Sequence, residues 1–173
     1  RNVTGVQTCA LPISTEAKRQ HLKAGGAYDL KTGYNLRMTK DLQRMWNELH
    51  ADDPELLLGS PPCTPFSPLQ ELNFPKMDFE KAVTLVGEGL EHVVTTCAAA
   101  KWQYKRGKIF VLEHPLRSKA WEEECMLELM GLPEVHVCVV DQCAYGLRVG
   151  EKLNKKPTCF ITKIGRASCR ERV

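Results

Sequence analysis

One short stretch of the sequence constrains the fold more than any other. Residues 60–68 (SPPCTPFSP) hold four prolines in nine positions, and proline lacks the backbone N–H that a helix or a sheet ladder requires. A short apolar run, residues 55–58, precedes them and ends at Gly59. The sequence therefore predicts a buried strand that runs into a stiff, irregular loop.

Helical and strand patterns alternate on either side of this loop. Apolar residues spaced three and four apart predict helices over 38–50 and 78–104, and Ser118 is expected to begin a third helix that ends at Met130. β-prone runs predict strands over 108–112, 135–140 and 159–162. This alternation is typical of an α/β fold with a parallel or mostly parallel sheet, in which ligands bind at the carboxyl ends of the strands.

The two ends of the chain differ from its middle. Residues 1–13 and 164–173 resemble translated sequencing-adapter oligonucleotides, and neither has a hydrophobic period of a helix or a strand. We therefore interpret residues 14–163 as the biological segment and the two ends as artefacts. The net charge of +3 comes from the ends, since residues 14–163 carry equal numbers of basic and acidic side chains. We do not expect this segment alone to bind a phosphate backbone strongly.

Composition narrows the class of protein further. No run approaches the roughly 20 apolar residues that span a bilayer, so no membrane partner is predicted. Six cysteines lie within residues 14–163, with no C-x-x-C pair and no histidine at finger spacing, so we predict no metal site. This cysteine usage favours a reducing intracellular compartment, either nucleus or cytoplasm.

Cys63 and Glu113 are the candidate catalytic residues. The proline loop would hold the Cys63 thiol at fixed geometry, and a thiolate is a strong nucleophile, although a buried packing cysteine is the alternative. Glu113 follows the strand-like run 108–112, where partial desolvation would let it share a proton near neutral pH; a simple loop carboxylate is the alternative. His114, the next residue, is a less favoured base for Cys63.

These motifs resemble those of the DNA (cytosine-5) methyltransferases. The string GSPPC at 59–63, followed by Phe66-Ser67, resembles the Pro-Cys catalytic loop of that family. The string IFVLEHP at 109–115 resembles its Glu-Asn-Val segment. CAYGL at 143–147 and KKPTCFI at 155–161 are similar to its Tyr-Gly and Gln-x-Arg-x-Arg region. The resemblance covers roughly residues 24–163 and extends to a divergent branch found in mobile elements and phage-like methylases.

The resemblance implies a fold and a reaction. The fold would be a Rossmann-like sheet of an S-adenosylmethionine-dependent methyltransferase. The Cys63 thiolate would add to C6 of a cytosine flipped out of DNA, which makes C5 nucleophilic toward the methyl group of S-adenosylmethionine. Glu113 would hold N3 and the exocyclic amine of the base, whose extrusion costs a few kcal/mol.

The same resemblance suggests binding residues. For the cofactor, Asp29 would take the ribose hydroxyls, Asn35 would read the adenine amine, and Pro61 would line the site. Ordinary turn formation is the alternative for Asp29 and Asn35. The implied substrate contacts are Ser67, Lys156 and Thr158.

The sequence also departs from the family pattern. The glycine-rich first motif is absent, so we expect the first strand and the target-recognition domain to be missing. Lys156 and Thr158 stand where arginines are expected, and His114-Pro115 replaces Asn-Val. We therefore expect an incomplete, inactive fragment of an enzyme. Two alternatives stay open: a non-catalytic relic of a mobile-element polyprotein, and a cysteine hydrolase that uses His92, His114 or His136.

Overall fold

The computed structural model describes residues 2–6 and 10–164. The helices in this part are α1 (Ala10–Arg19), α2 (Thr39–Asp52), α3 (Pro68–Asn73), α4 (Phe79–Lys105) and α5 (Glu124–Met130). The strands are β1 (Asn2–Val6), β2 (Lys23–Tyr28), β3 (Leu56–Gly59), β4 (Ile109–Pro115), β5 (His136–Asp141), β6 (Arg148–Val149), β7 (Lys152–Leu153) and β8 (Pro157–Thr162). Short 3-10 turns follow β2 at Leu30–Thr32 and β3 at Thr64–Phe66.

Six of these strands form one mixed sheet in the order β2-β1-β3-β4-β8-β5, and β6 pairs with β7 separately. The first four strands of that order are parallel, whereas β8 is antiparallel to both β4 and β5. The predicted α/β class is thus confirmed. The chain goes from β1 to β2 on one side, while β3 lies on the other side of β1. In sheets of this kind ligands bind outside the carboxyl ends of the strands at such a reversal.

The expectation that the first strand is missing is wrong. Strand β1 fills the place between β2 and β3, with Val3 opposite Leu56 and Val6 opposite both Tyr28 and Gly59. A strand with neighbours on both sides in a parallel sheet is generally covered on both faces, so its sequence need not alternate between apolar and polar residues. A period of two is therefore not required of residues 2–6. Helix α1 spans residue 14, where the predicted biological segment begins, and that segment stays a prediction.

Most other elements lie where their patterns predict them, with two differences. Strand β4 extends through Pro115, because pairing with β8 continues to the register pair Pro115–Thr158, so that Glu113 lies inside the strand and not after it. The helix expected from Ser118 is divided. Ser118 caps a 3-10 turn, Lys119–Glu122, and α5 begins only after the extended residue Glu123.

The core lies where α4 packs against β3 and β4. Phe110 and Leu112 of β4, Leu57 of β3 and Ile161 of β8 are fully buried there. Because side chains alternate along a strand, His114 points to the same covered face as Leu112, and Glu113 points to the opposite face. The fold thereby separates two neighbouring residues that the sequence had placed in one polar motif.

Candidate functional site

The proline loop that follows β3 is held tightly against its surroundings. A Cβ atom on Gly59 would lie 2.5 Å from side-chain carbons of Leu112 and Thr96, so the loop begins where only glycine fits. Farther along, Pro65 packs against Gly89 of α4, where an added Cβ would come within 2.6 Å of Pro65 Cγ. The loop therefore has its two ends fixed by β4 and α4.

Cys63 lies in the middle of this loop. Its side chain is half-buried and forms no disulfide. The Cys63 carbonyl accepts a hydrogen bond from the backbone N–H of Phe66 (3.1 Å), which closes the 3-10 turn Thr64–Phe66. A turn of this kind fixes the backbone that carries the thiol, as the prolines predict.

Glu113 is joined to the start of the same loop. The Ser60 hydroxyl donates a hydrogen bond of 2.7 Å to Glu113 Oε2, across the register in which Gly59 lies opposite Leu112. The other oxygen, Oε1, is buried and has no hydrogen-bond partner. One oxygen of the carboxyl group is thus anchored, and the other keeps its capacity to accept a hydrogen bond.

The other side of the loop borders a cavity of about 180 Å³. Its lining residues come from the segment after β2, from the proline loop and from α4, and they are Asp29, Leu30, Lys31, Tyr34, Leu36, Pro62 and His92. Pro62 precedes Cys63 directly, so residues 60–63 connect this cavity to the Glu113 carboxyl group. The loop thus contacts Glu113 through Ser60 and borders the Asp29 cavity through Pro62, whereas Cys63 and Glu113 are not among the residues that line this cavity.

Asp29 caps the 3-10 turn that follows β2. Its Oδ1 atom accepts hydrogen bonds from the backbone N–H groups of Lys31 (2.6 Å) and Thr32 (3.2 Å). Its Oδ2 atom is buried without a partner. Buried polar atoms are nearly always hydrogen-bonded, so an unpaired carboxylate oxygen in a cavity lining marks a place for a hydrogen-bond donor such as a hydroxyl group.

The other two residues predicted to bind the cofactor do not line this cavity. Asn35 Oδ1 accepts a hydrogen bond from Arg37 N (3.2 Å), and Asn35 N donates one to Asp41 (3.0 Å). Pro61 is buried, and its neighbour Pro62 forms the wall in its place. The direction of successive side chains in an irregular loop cannot be read from sequence spacing, which explains the offset of one residue.

The three predicted substrate contacts are placed differently from one another. Ser67 caps α3, since its hydroxyl accepts a hydrogen bond from Gln70 N (3.2 Å). Thr158 is fully buried, and its hydroxyl accepts one from Gln142 Nε2 (2.9 Å). Lys156 is exposed. Of the three, Lys156 presents its side chain to solvent, and the substrate roles of all three stay predictions.

His114 has a structural place that the sequence did not indicate. It is fully buried between the rings of Phe66 (6.2 Å between centroids) and Trp121 (5.8 Å). Burial lowers its pKa from 6.5 to about 4, and the charge of Lys156 adds to this, while the nearby Pro62 carbonyl opposes it. Neither ring nitrogen has a hydrogen-bond partner, so His114 makes no hydrogen bond with Cys63. The His114 imidazole therefore packs against the proline loop, through Phe66, as a neutral ring.

A larger groove, of about 610 Å³, lies along β5 and β8. Its lining is mostly apolar, includes Val140, Phe160 and Leu147, and contains no charged side chain. This groove therefore lacks the carboxyl groups that the predicted chemistry requires. The smaller cavity beside Pro62 is the better candidate despite its size, since it contains the Asp29 carboxyl group and borders the loop that carries Cys63.

Comparisons with other proteins add no assignment. The chain matches no protein-family model and no curated protein. Within residues 2–6 and 10–164, no three His, Cys, Asp or Glu side chains are grouped so that they could hold a metal ion. None of the helices in that part has the length and apolar character needed to cross a membrane.

Proposed function

We propose that this chain carries the catalytic segment of an enzyme that transfers a methyl group from S-adenosylmethionine to C5 of cytosine in DNA. The observation that supports this most strongly is the arrangement of residues 60–63. Ser60 is hydrogen-bonded to Glu113, Pro62 lines the cavity that contains Asp29, and Cys63 follows Pro62. In this proposal Cys63 is the nucleophile, Glu113 of β4 holds the base, and the cavity after β2 and β3 holds the cofactor.

The residues around the cavity fit one end of the cofactor. Drug-sized ligands occupy sites of about 300–1,000 Å³, so a cavity of about 180 Å³ suits the nucleoside portion and not the whole molecule. The unpaired Asp29 Oδ2 atom would accept a hydrogen bond from a ribose hydroxyl group. When bound, S-adenosylmethionine supplies an electrophilic methyl group on a sulfonium ion.

Cys63 and Glu113 would divide the chemistry of the base between them. The Cys63 thiolate would form a bond to C6 of cytosine, which leaves the electron pair of the C5–C6 double bond at C5. C5 would then take the methyl group as the S–CH3 bond of the cofactor breaks, and S-adenosylhomocysteine would leave. Glu113 Oε1 would meet the N3 edge of the base and stabilise the adduct. Transfer of the C5 proton to a water molecule would then restore the double bond and expel the Cys63 thiolate, which is the form that began the reaction.

The test is covalent capture on 5-fluorocytosine, because fluorine at C5 cannot leave as a proton and the adduct persists. The whole chain is incubated with S-adenosylmethionine and a pool of DNA duplexes that carry 5-fluorocytosine in random sequence, and adducts are resolved on denaturing gels. Capture requires one addition step and no turnover, so it can be detected even in a chain that does not complete the catalytic cycle. We expect an adduct with the wild-type chain and none with Cys63→Ser.

Two controls make the result specific. Cys143→Ser replaces another half-buried free cysteine and should leave the adduct intact. A matched RNA pool shows whether DNA is the preferred substrate. A folded chain that binds S-adenosylhomocysteine and gives no adduct would overturn the proposal in favour of the non-catalytic relic. A folded chain that does not bind that ligand would overturn it in favour of the hydrolase.

A further inference from the structure

Strand β5 forms one edge of the six-stranded sheet, and β8 is its only neighbour among the described residues. The two strands pair in an unbroken antiparallel register from His136–Thr162 to Asp141–Pro157. Edge strands normally carry a lysine, a proline or a bulge that prevents another strand from pairing with them. Residues 136–140 (HVCVV) contain neither lysine nor proline, and their register with β8 has no bulge. This edge can therefore accept a further strand.

The bonds to β8 show which backbone groups of β5 point outward. Gln142 N donates a hydrogen bond to Lys156 O (3.1 Å), which continues the β5–β8 ladder beyond its last register pair. Successive residues of a strand direct their backbone groups alternately to the two sides, so residues 136, 138 and 140 also face β8. The N–H and C=O groups of Val137, Val139 and Asp141 consequently face the open edge.

The side chains of the same two valines are also uncovered. Val137 is 51% exposed and Val139 is 53% exposed, although valine is among the residues most often buried. Both lie on the sheet face opposite to the large groove, since the alternate residues Cys138 and Val140 line that groove. The edge of β5 thus combines outward-facing backbone groups with an exposed apolar pair, and a partner strand would cover both.

The sequence of β5 is complementary to itself under a twofold rotation. A twofold axis perpendicular to the sheet makes two copies of β5 antiparallel and keeps each side chain on its own face. The outward-facing residues then form the hydrogen-bonded pairs, and one register places Val137 of each copy opposite Val139 of the other. Such cross-strand pairs of β-branched residues stabilise a sheet. The next register would place Val137 opposite Asp141 instead, so the first is favoured.

The charges at the two ends of β5 are compatible with this pairing. Before the strand, Glu134 is paired with Lys163 (3.7 Å), and at its end Asp141 is paired with Lys155 (3.4 Å). In an antiparallel pair the start of one strand lies beside the end of the other. The Glu134 carboxylate of one copy would thus lie near the Lys155 ammonium group of the second copy. Each end brings together two ion pairs and no unbalanced charge.

We infer that β5 is a dimerisation edge, through which two copies of this chain pair over residues 136–141 in an antiparallel register centred on position 138. The two sheets would then continue into one another. The partner is a second copy, because the pairing of the valines and of the end charges follows from the sequence of β5 itself. The inference goes beyond the proposed function and does not depend on it, since β5 contributes no residue to the cavity beside Pro62.

Sedimentation velocity of the whole chain in a reducing buffer, which excludes intermolecular disulfides, measures the dissociation constant of the dimer. We expect the wild type to dimerise at micromolar concentrations. Val139→Lys introduces a charge in the middle of the edge and should raise the dissociation constant at least about tenfold. Val149→Lys alters another exposed valine, on β6, and should dimerise like the wild type. Thermal unfolding verifies that each variant is folded.

Hydrogen exchange of individual amides locates the interface in the wild-type chain without any substitution. The amides of Val137 and Val139 should be protected at a high protein concentration and should exchange at least about tenfold faster after dilution. The amides of Cys138 and Val140 face β8 and should be protected at both concentrations.

Three results would overturn the inference. A wild-type chain that stays monomeric would leave the edge to a strand of a different protein. A dimer that forms equally well in Val139→Lys, with Val137 and Val139 amides that exchange alike at both concentrations, would place the contact elsewhere. Equal weakening of the dimer in Val139→Lys and Val149→Lys would indicate non-specific association of apolar surface.

Discussion

Acid should unfold this protein through His114 well before its carboxyl groups are fully protonated. The imidazole is buried without a hydrogen-bond partner, and its pKa falls from 6.5 to about 4 in the folded chain. Because the folded chain binds this proton more weakly than the unfolded chain, lowering the pH favours unfolding. The stability from neutral His114 is complete above about pH 6.5, falls as the pH decreases from there, and is lost below about pH 4.

The magnitude follows from the two pKa values. Each factor of ten in proton affinity is worth about 1.4 kcal/mol, so the full loss is about 3 kcal/mol, of which about 2 kcal/mol has occurred at pH 5. This is a large share of the roughly 5–15 kcal/mol that stabilises a typical domain. Because protonation would remove this much of the free energy of unfolding, the His114 ring has to stay neutral for the proline loop to keep its position.

Urea unfolding at pH 7 and pH 5 measures this loss. The variant His114→Phe keeps an aromatic ring between Phe66 and Trp121 but cannot be protonated, so its unfolding free energy should change by about 2 kcal/mol less than that of the wild type between the two pH values. His50→Gln, which removes an exposed imidazole from α2, is the control and should behave like the wild type. An equal pH dependence in His114→Phe and the wild type would refute the reasoning.

Three further substitutions test the site. Gly59→Ala should lower the free energy of unfolding by about 2 kcal/mol in a urea titration, because its Cβ meets buried Leu112 and Thr96. Gly87→Ala, which has open space around it in α4, should raise the free energy of unfolding by about 0.5–1 kcal/mol. Equal effects of the two substitutions would contradict this packing. Ser60→Ala should slow adduct formation about tenfold in gel time courses without altering S-adenosylhomocysteine affinity, and an unchanged rate would show that the Glu113 anchor is dispensable. Asp29→Asn keeps a capping oxygen but loses the charge. Calorimetry should therefore show the affinity for S-adenosylhomocysteine reduced about tenfold, with little change in thermal stability. Undiminished affinity would show that Asp29 is not in the cofactor site.

Local patterns predicted much of this fold because most of its elements carry a local signal. Helix α2 and helix α4 show an apolar stripe, and the prolines after Gly59 exclude regular structure, so these elements lie where the sequence puts them. The sequence did not predict strand β1, because backbone pairing with β2 and β3 holds this strand in the sheet. A strand in that position needs no alternation of apolar and polar residues. The end of β4 was misplaced since its partner β8 comes more than forty residues later.

The candidate site was predictable to a similar depth. Cys63 follows a strand that the patterns locate, and the expected position of Glu113 was only two residues from the end of β4, whereas Asp29 was indicated only by the family resemblance. The depth of burial of His114 and the cavity position of His92 depend on how α4 and the aromatic rings pack, which no local pattern encodes. The sequence indicates His92 only as a possible partner for Cys63 in a hydrolase, whereas the structure places it in the lining of the Asp29 cavity.

The hydrogen bond from Ser60 removes the symmetry of the Glu113 carboxylate. In a free carboxylate the two oxygens share the charge and exchange places by rotation, but here Oε2 is held by the hydroxyl and Oε1 is not. Oε2 uses part of its accepting capacity on the Ser60 hydroxyl, whereas Oε1 keeps all of its own. The two oxygens are therefore not equivalent, and a second hydrogen-bond donor at Glu113 would have one preferred partner atom.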